Sequence, residues 1–179
     1  MSSAAQILKE FKDINRNPIS NCGVNVGLFN ENDPTRWRVS LLGPKDTSYN
    51  GGLFYLSVQF PQDYPQRAPE ICFLTPIYHV NVNPRVPTMP GGESLGHICI
   101  STLNWWKPEY RMREVLTNIF ALFYMGNPES PYGLDRAEEF RNNRAVFEEK
   151  IKYFTKKYAN PLSSGKYTQR EHDWNFNYP

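Results

Sequence analysis

The sequence is poor in the residues that staple small proteins together. It has three cysteines, Cys22, Cys72 and Cys99, widely separated and without a C-x-x-C pair. They cannot all pair, and their spacing fits no zinc site, so neither a disulfide scaffold nor a metal-held fold is expected. No apolar run approaches the length of a membrane span. Lys9 and Asp13 interrupt the N-terminal stretch where a signal peptide needs an unbroken apolar run, so a cytoplasmic or nuclear location is expected. Charge of either sign is scarce in excess: 20 basic residues against 18 acidic leave +2, spread along the chain. That balance gives no reason to expect nucleic-acid or membrane binding. Internal repeats are also missing. What remains is a chain of 179 residues, long enough for one domain with a full hydrophobic core. Its 15 prolines and its aromatic content of 15% suit an ordered, loop-rich domain rather than a disordered chain.

Residues 3–17 carry Ile7, Phe11 and Ile14 at helical spacing, with Lys9, Glu10, Lys12, Asp13 and Arg16 largely on the other side. Ser2 or Ser3 can cap this helix and Pro18 stops it. The period then changes to two. Val24, Val26 and Leu28 alternate with small or polar residues, then Trp37, Val39 and Leu41, then Phe54, Leu56, Val58 and Phe60; "EICFL" is a short fourth run. Short turn-rich links between them predict a four-stranded antiparallel meander. From residue 76 to 98 the chain is irregular, with Pro76, Pro84, Pro87, Pro90 and a Gly91-Gly92 pair. A segment this long without regular structure is often functional. Three helices are expected after it. "RMREVLTNIFALFYM" is apolar nearly all round and reads as buried; "LDRAEEFRNN" follows; and "RAVFEEKIKYFTKKYA" carries a core stripe of Phe147, Ile151, Phe154 and Tyr158. The fold class is therefore α+β, with strands bunched and helices segregated around them. Residues 1–160 are expected to form the domain, and 161–179 a tail containing Tyr167, Trp174, Phe176 and Tyr178.

Among the cysteines, Cys72 lies inside a strand-like apolar run and reads as core, while Cys22 has no obvious partner. Cys99 follows the irregular segment, in "GHICISTLNWW". A lone cysteine in "HICI" can be a small buried residue. Its place after a long loop on a rigid scaffold instead suits a nucleophile. A thiol protease with His79 or His97 as base is a third reading, although papain-like enzymes place their histidine far downstream of the cysteine.

"IYHVNV", then "GHICISTL", then "NWWKP" and "NPESP" resemble the core of the ubiquitin-conjugating enzymes. Upstream, "LKEFKDINRNP" is similar to their first helix. "WRVSLLGPKDTSYNGGLFYLSVQFPQDYPQRAPEICFLT" follows their W…GP-x-(D/N)-T-x-Y-x-G-G-x-F and F-P-x-x-Y-P signature, and "VLTNIFALF" and "FTKKYA" match their later helices. The resemblance runs over residues 5–160 in the family's order. It implies that Cys99 accepts ubiquitin, or a ubiquitin-like modifier, from an activating enzyme as a thioester. The modifier would then pass to a lysine of a protein substrate, usually with a ligase bound and with no metal or cofactor. Asn81 matches the family asparagine that stabilises the oxyanion or organises the loop beside the cysteine, His79 a histidine that holds that loop, and Ser130 a position, aspartate or serine, that receives the lysine. A serine there can only exchange hydrogen bonds, whereas a carboxylate can take up a proton. Tyr78 and Tyr132 could each line the lysine's approach or simply pack, and Glu129 reads as a solvated loop carboxylate. His97 reads as a bystander. Of the pair Trp105 and Trp106, one is expected in the core and the other as a partner anchor.

The chain departs from the family pattern in three ways. Val80 stands where the family has proline in His-Pro-Asn. Gln66, Ala5 and Gln6 alter the surfaces that family members use for ligase and activating enzyme. The link from Asn81 to Cys99 is lengthened by "PRVPTMPGGES". A weakly active or non-catalytic variant that binds ubiquitin or a partner is therefore the alternative reading. The insertion reads either as a flap that gates Cys99 or as an inert surface loop, which loop-closure entropy tolerates. Deleting residues 85–93 separates these. A flap predicts a changed rate of discharge to lysine, whereas unchanged charging and discharge would leave the insertion inert.

Overall fold

The computed structural model describes residues 2–19, 23–85 and 95–162. Cys22, most of the insertion (86–94) and the tail from 163 lie outside the described residues. The order is α1 (Ser3–Arg16), β1 (Val24–Asn30), β2 (Asp33–Leu42), β3 (Leu53–Gln59), β4 (Glu70–Phe73), α2 (Ser101–Asn104), α3 (Met112–Ala121), α4 (Leu134–Asn142) and α5 (Arg144–Tyr158). The four strands form one antiparallel sheet in sequence order, as the alternation predicts. Its register pairs Val26 with Val39, Val39 with Leu56, and Leu56 with Phe73. One face is thus a continuous apolar layer. At the β2–β3 turn a side chain at Gly43 would lie 1.8 Å from the Tyr49 carbonyl oxygen, so no larger residue fits.

α1 begins at Ser2, whose Oγ accepts from the Ala5 N–H at 3.3 Å. Ile7 and Ile14 are buried, each side chain contributing roughly 1.5–3 kcal/mol by leaving water. Phe11 packs edge-on against Trp37 at 5.6 Å between ring centroids. From there rings continue through Phe60, Tyr64 and Trp106 to Tyr110. Trp106 is the inward member of the tryptophan pair, and its indole N–H donates to the Pro65 carbonyl at 2.7 Å. Trp105 is 77% exposed. The core stripe of α5 is buried as expected.

Three expectations need correction. Glu10 does not lie on the solvated side of α1. It is buried, accepting from Gln6 Nε2 (2.8 Å), Tyr64 OH (2.9 Å) and the Met112 N–H (2.8 Å), so its carboxylate joins α1 to the start of α3. Those partners replace the water that burial removes. Among the described residues four helices, not three, follow the irregular segment: α2 is one turn of "STLN", too short to carry a helical period. Nor is α3 buried all round. It ends at Ala121 with one inward face (Met112, Val115, Leu116, Ile119, Phe120), and the apolar letters beyond it lie in a turn where Tyr124 and Met125 are exposed.

Residues 74–82 are buried although they form no helix or regular strand. Their backbone groups are met from elsewhere, as an interior segment requires. The Leu74 N–H donates to the Tyr55 carbonyl at 2.8 Å, and the Tyr78 carbonyl accepts from Tyr49 OH at 2.8 Å.

Replacing Glu10 with alanine would leave Tyr64 OH and the Met112 N–H buried without an acceptor. A stability loss of roughly 2–4 kcal/mol is expected, read as a lower urea midpoint at unchanged m-value. Glu10→Gln keeps one acceptor oxygen and is expected to lose less.

Candidate active site

Cys99 is delivered by a short ribbon rather than by a free loop. Gly96 adopts φ +77, and a side chain there would meet the Phe73 carbonyl oxygen at 2.1 Å. This close approach lets the Phe73 N–H donate to the Gly96 carbonyl at 2.8 Å, beside β4. His97 and Ile98 then bridge to Cys72 and Val82. In this extended stretch Ile98 points into the core while His97 and Cys99, two residues apart, share the other side. The Cys99 N–H donates to the Asn81 carbonyl at 2.9 Å. The thiol is partly exposed, and its Sγ accepts from Asn104 Nδ2 at 3.3 Å. Cys72 is fully buried, as expected of a core residue.

Asn81 is buried, and its side chain is fully engaged. Nδ2 donates to the carbonyls of Asn127 (2.7 Å) and Ser130 (2.8 Å), and Oδ1 accepts from the Asn127 N–H at 2.7 Å. An amide has two N–H donors, and both are committed to the 127–130 loop. Of the two roles expected for Asn81, this geometry matches organisation of the loop. A donor to an oxyanion would first have to leave one of these carbonyls.

His79 is likewise spent. Its Nδ1 accepts from the Asn81 N–H at 3.0 Å, which fixes the proton on Nε2, and Nε2 donates to the Leu122 carbonyl at 2.9 Å. Burial lowers its pKa from 6.5 to about 4, so the ring is neutral near pH 7 and has no lone pair to spare as a base. Ser130 is exposed, and its tie to Asn81 runs through its carbonyl, leaving the hydroxyl at the surface. Glu129 pairs with Arg141 at 2.7 Å, an exposed ion pair of little energetic weight. Tyr78 packs: it is buried and donates to Glu139 Oε2 at 2.6 Å. Tyr132 stays near the cysteine ribbon, its N–H on the Val80 carbonyl at 2.8 Å and its OH on His97 Nδ1. His97 is therefore tied to the segment after Ser130.

Asn81 thus collects the expected residues around itself. Its carbonyl holds the Cys99 backbone, its side chain holds Ser130, and its own N–H leans on His79. Val80, in place of proline, is fully buried. The sequence reading missed Asn104. Had "STLN" been recognised as a helical turn, Asn104 would have been placed back over Cys99. It also missed Asn127, which lay in plain view within "NPESP".

This arrangement offers a partly exposed cysteine, a donor from Asn104 at its sulfur, and a neighbouring loop locked to Asn81, whose carbonyl also holds the Cys99 backbone. The family model for the ubiquitin-conjugating enzymes matches residues 6–155. Ubiquitin-conjugating enzyme E2 15 of Schizosaccharomyces pombe is 33% identical over 166 residues, covering 84% of this chain and 92% of that protein. The chain belongs to the ubiquitin-conjugating enzyme family, a family of transferases.

The depressed pKa of His79 has a consequence for acid stability. Its folded value, about 4, lies below the unfolded 6.5, so the folded state binds fewer protons between them. Stability is expected to fall as pH drops from about 6.5 towards about 4, by an amount of order 3 kcal/mol. Asp13 and Asp33, held below 3.8 by hydrogen bonds from Arg113 and Thr35, lose their contributions only at lower pH. Urea midpoints across this range should decline in the wild type, and His79→Gln should flatten that limb.

Proposed function

We propose that this chain accepts ubiquitin, or a ubiquitin-like modifier, from an activating enzyme as a thioester on Cys99 and transfers it to a lysine, usually with a ligase bound. The observation that carries this reading is the setting of Cys99: a partly exposed thiol on a ribbon fixed by Asn81, with an N–H donor at its sulfur. In the transfer step the lysine amine attacks the thioester carbonyl. The new C–N bond forms, the C–S bond breaks, the amine gives up a proton to solvent water, and the sulfur leaves as thiolate. The Asn104 amide donates to that departing sulfur, where a hydrogen bond to developing charge is strongest.

Asn81 acts in this scheme by organisation. Its committed amide holds the 127–130 loop against the cysteine ribbon. Ser130 meets the incoming lysine with a hydroxyl, which orients an amine by hydrogen bonding but cannot take its proton. His79, neutral and with both nitrogens engaged, buttresses Asn81. Trp105, 77% exposed directly after α2, suits a partner anchor. Lys9 and Lys12 on α1 belong to the surface proposed for the activating enzyme and ligase.

The test is a charging reaction with activating enzyme, ATP and ubiquitin on a non-reducing gel. The wild type is expected to form a reductant-sensitive adduct that Cys99→Ala abolishes and Cys99→Ser converts to a reductant-resistant oxyester. Absence of any adduct, with ubiquitin and with related modifiers, would favour the non-catalytic binding variant.

A further inference from the structure

Arg136 lies on the inner face of α4 and is only 4% exposed. A guanidinium out of water must be compensated. Its Nη1 donates to the His79 carbonyl at 3.0 Å, and its Cζ sits 4.3 Å from the centroid of the Tyr78 ring, within cation–π range. Three residues on, along the same helix face, Glu139 accepts from Tyr78 OH through Oε2 and pairs with Lys150 of α5 through Oε1. α4 therefore grips two consecutive residues of the buried segment, Tyr78 by ring and hydroxyl and His79 by its carbonyl. Burial lowers the Arg136 pKa to about 10, opposed by Tyr78 and the nearby carboxylates, and the side chain remains a cation near neutrality.

A side chain needed only to fill this space would be better apolar, because a buried ion pays for its desolvation. The guanidinium instead meets a carbonyl of the tripeptide whose middle residue is Val80. Valine has no fixed φ, and the peptide groups that follow His79 and Val80 are held from outside. The His79 carbonyl is held by Arg136, and the Val80 carbonyl by the Tyr132 N–H at 2.8 Å. The next N–H, of Asn81, rests on His79 Nδ1, and the Asn81 carbonyl receives the Cys99 N–H. We infer that Arg136 is a positioning residue: by holding the His79 carbonyl it orients the His79-Val80-Asn81 backbone, and through Asn81 it sets Cys99 against the 127–130 loop that receives the acceptor lysine. This deepens the proposed transfer reaction and rests on it. Loading needs chiefly an exposed thiol. Discharge also needs the loop placed correctly, so discharge is the step that depends more on Arg136.

Arg136→Met and Arg136→Lys test this. Methionine keeps apolar bulk, and Glu139 retains Tyr78 and Lys150 as partners; lysine keeps a cation that can donate to the same carbonyl. Arg136→Met is expected to slow single-turnover discharge of preloaded thioester to free lysine about tenfold, with loading slowed much less, and Arg136→Lys to recover most of the loss. Independently of activity, hydrogen exchange in Arg136→Met should quicken at the Asn81 and Cys99 amides by about tenfold while β2 and β3 stay protected. Wild-type discharge and exchange in Arg136→Met would overturn the assignment. So would exchange that rises equally across the sheet, or a loss of discharge that lysine fails to recover. If the wild type forms no thioester with any modifier, the transfer reading fails, and the exchange experiment still decides whether Arg136 holds the loop.

Discussion

A buried stretch of backbone that forms neither helix nor ladder must find its hydrogen-bond partners one by one, and residues 74–82 run through this protein in that condition. The solution is distributed. Tyr49 serves the Tyr78 carbonyl, Arg136 the His79 carbonyl, the Tyr132 N–H the Val80 carbonyl and the His79 ring the Asn81 N–H. Each donor or acceptor comes from a different element or from the segment itself. The segment is thereby fixed from several sides, and so is everything hung on it. Cys99 is hung on it through the Asn81 carbonyl, and the 127–130 loop through the Asn81 side chain.

This constraint shapes the chemistry available. Buried polar groups tied into a satisfied network are rigid and costly to unmake. His79 and Asn81, which sequence resemblance places nearest to catalysis, are for that reason poor candidates for moving protons or turning towards a reacting oxygen. Among the described residues, Cys99 is partly exposed, and Asn104, Ser130 and Trp105 lie at the surface. These suit a reaction whose other participants are proteins, with the buried residues holding the frame in which they meet.

Much of the frame was legible in the chain itself. The strands were read from alternation because a side-chain period of two is a local property, and Val26, Val39, Leu56 and Phe54 are buried as that period requires. α5 was read from Phe147, Ile151, Phe154 and Tyr158 for the same reason. Cys72 and Cys99 separated correctly by their surroundings, one fully buried and the other partly exposed. Glu10 was misread because periodicity assigns a carboxylate outward. Its inward place depends on Tyr64 and on Met112, 102 residues away. α2 was missed because four residues cannot display a helical period, and with it went the position of Asn104.

The sequence by itself determined the α+β class, the order and pairing of the strands, the family, and the difference between buried Cys72 and partly exposed Cys99. All of these follow from local patterns or from the order of motifs along the chain. Only the tertiary structure decided what Glu10, Asn81, His79 and Arg136 do with their polar groups. Their partners lie far along the chain, 46 residues from Asn81 to Asn127 and 57 from His79 to Arg136. A buried polar side chain takes its role from the group it meets, and that meeting exists only once the chain has folded.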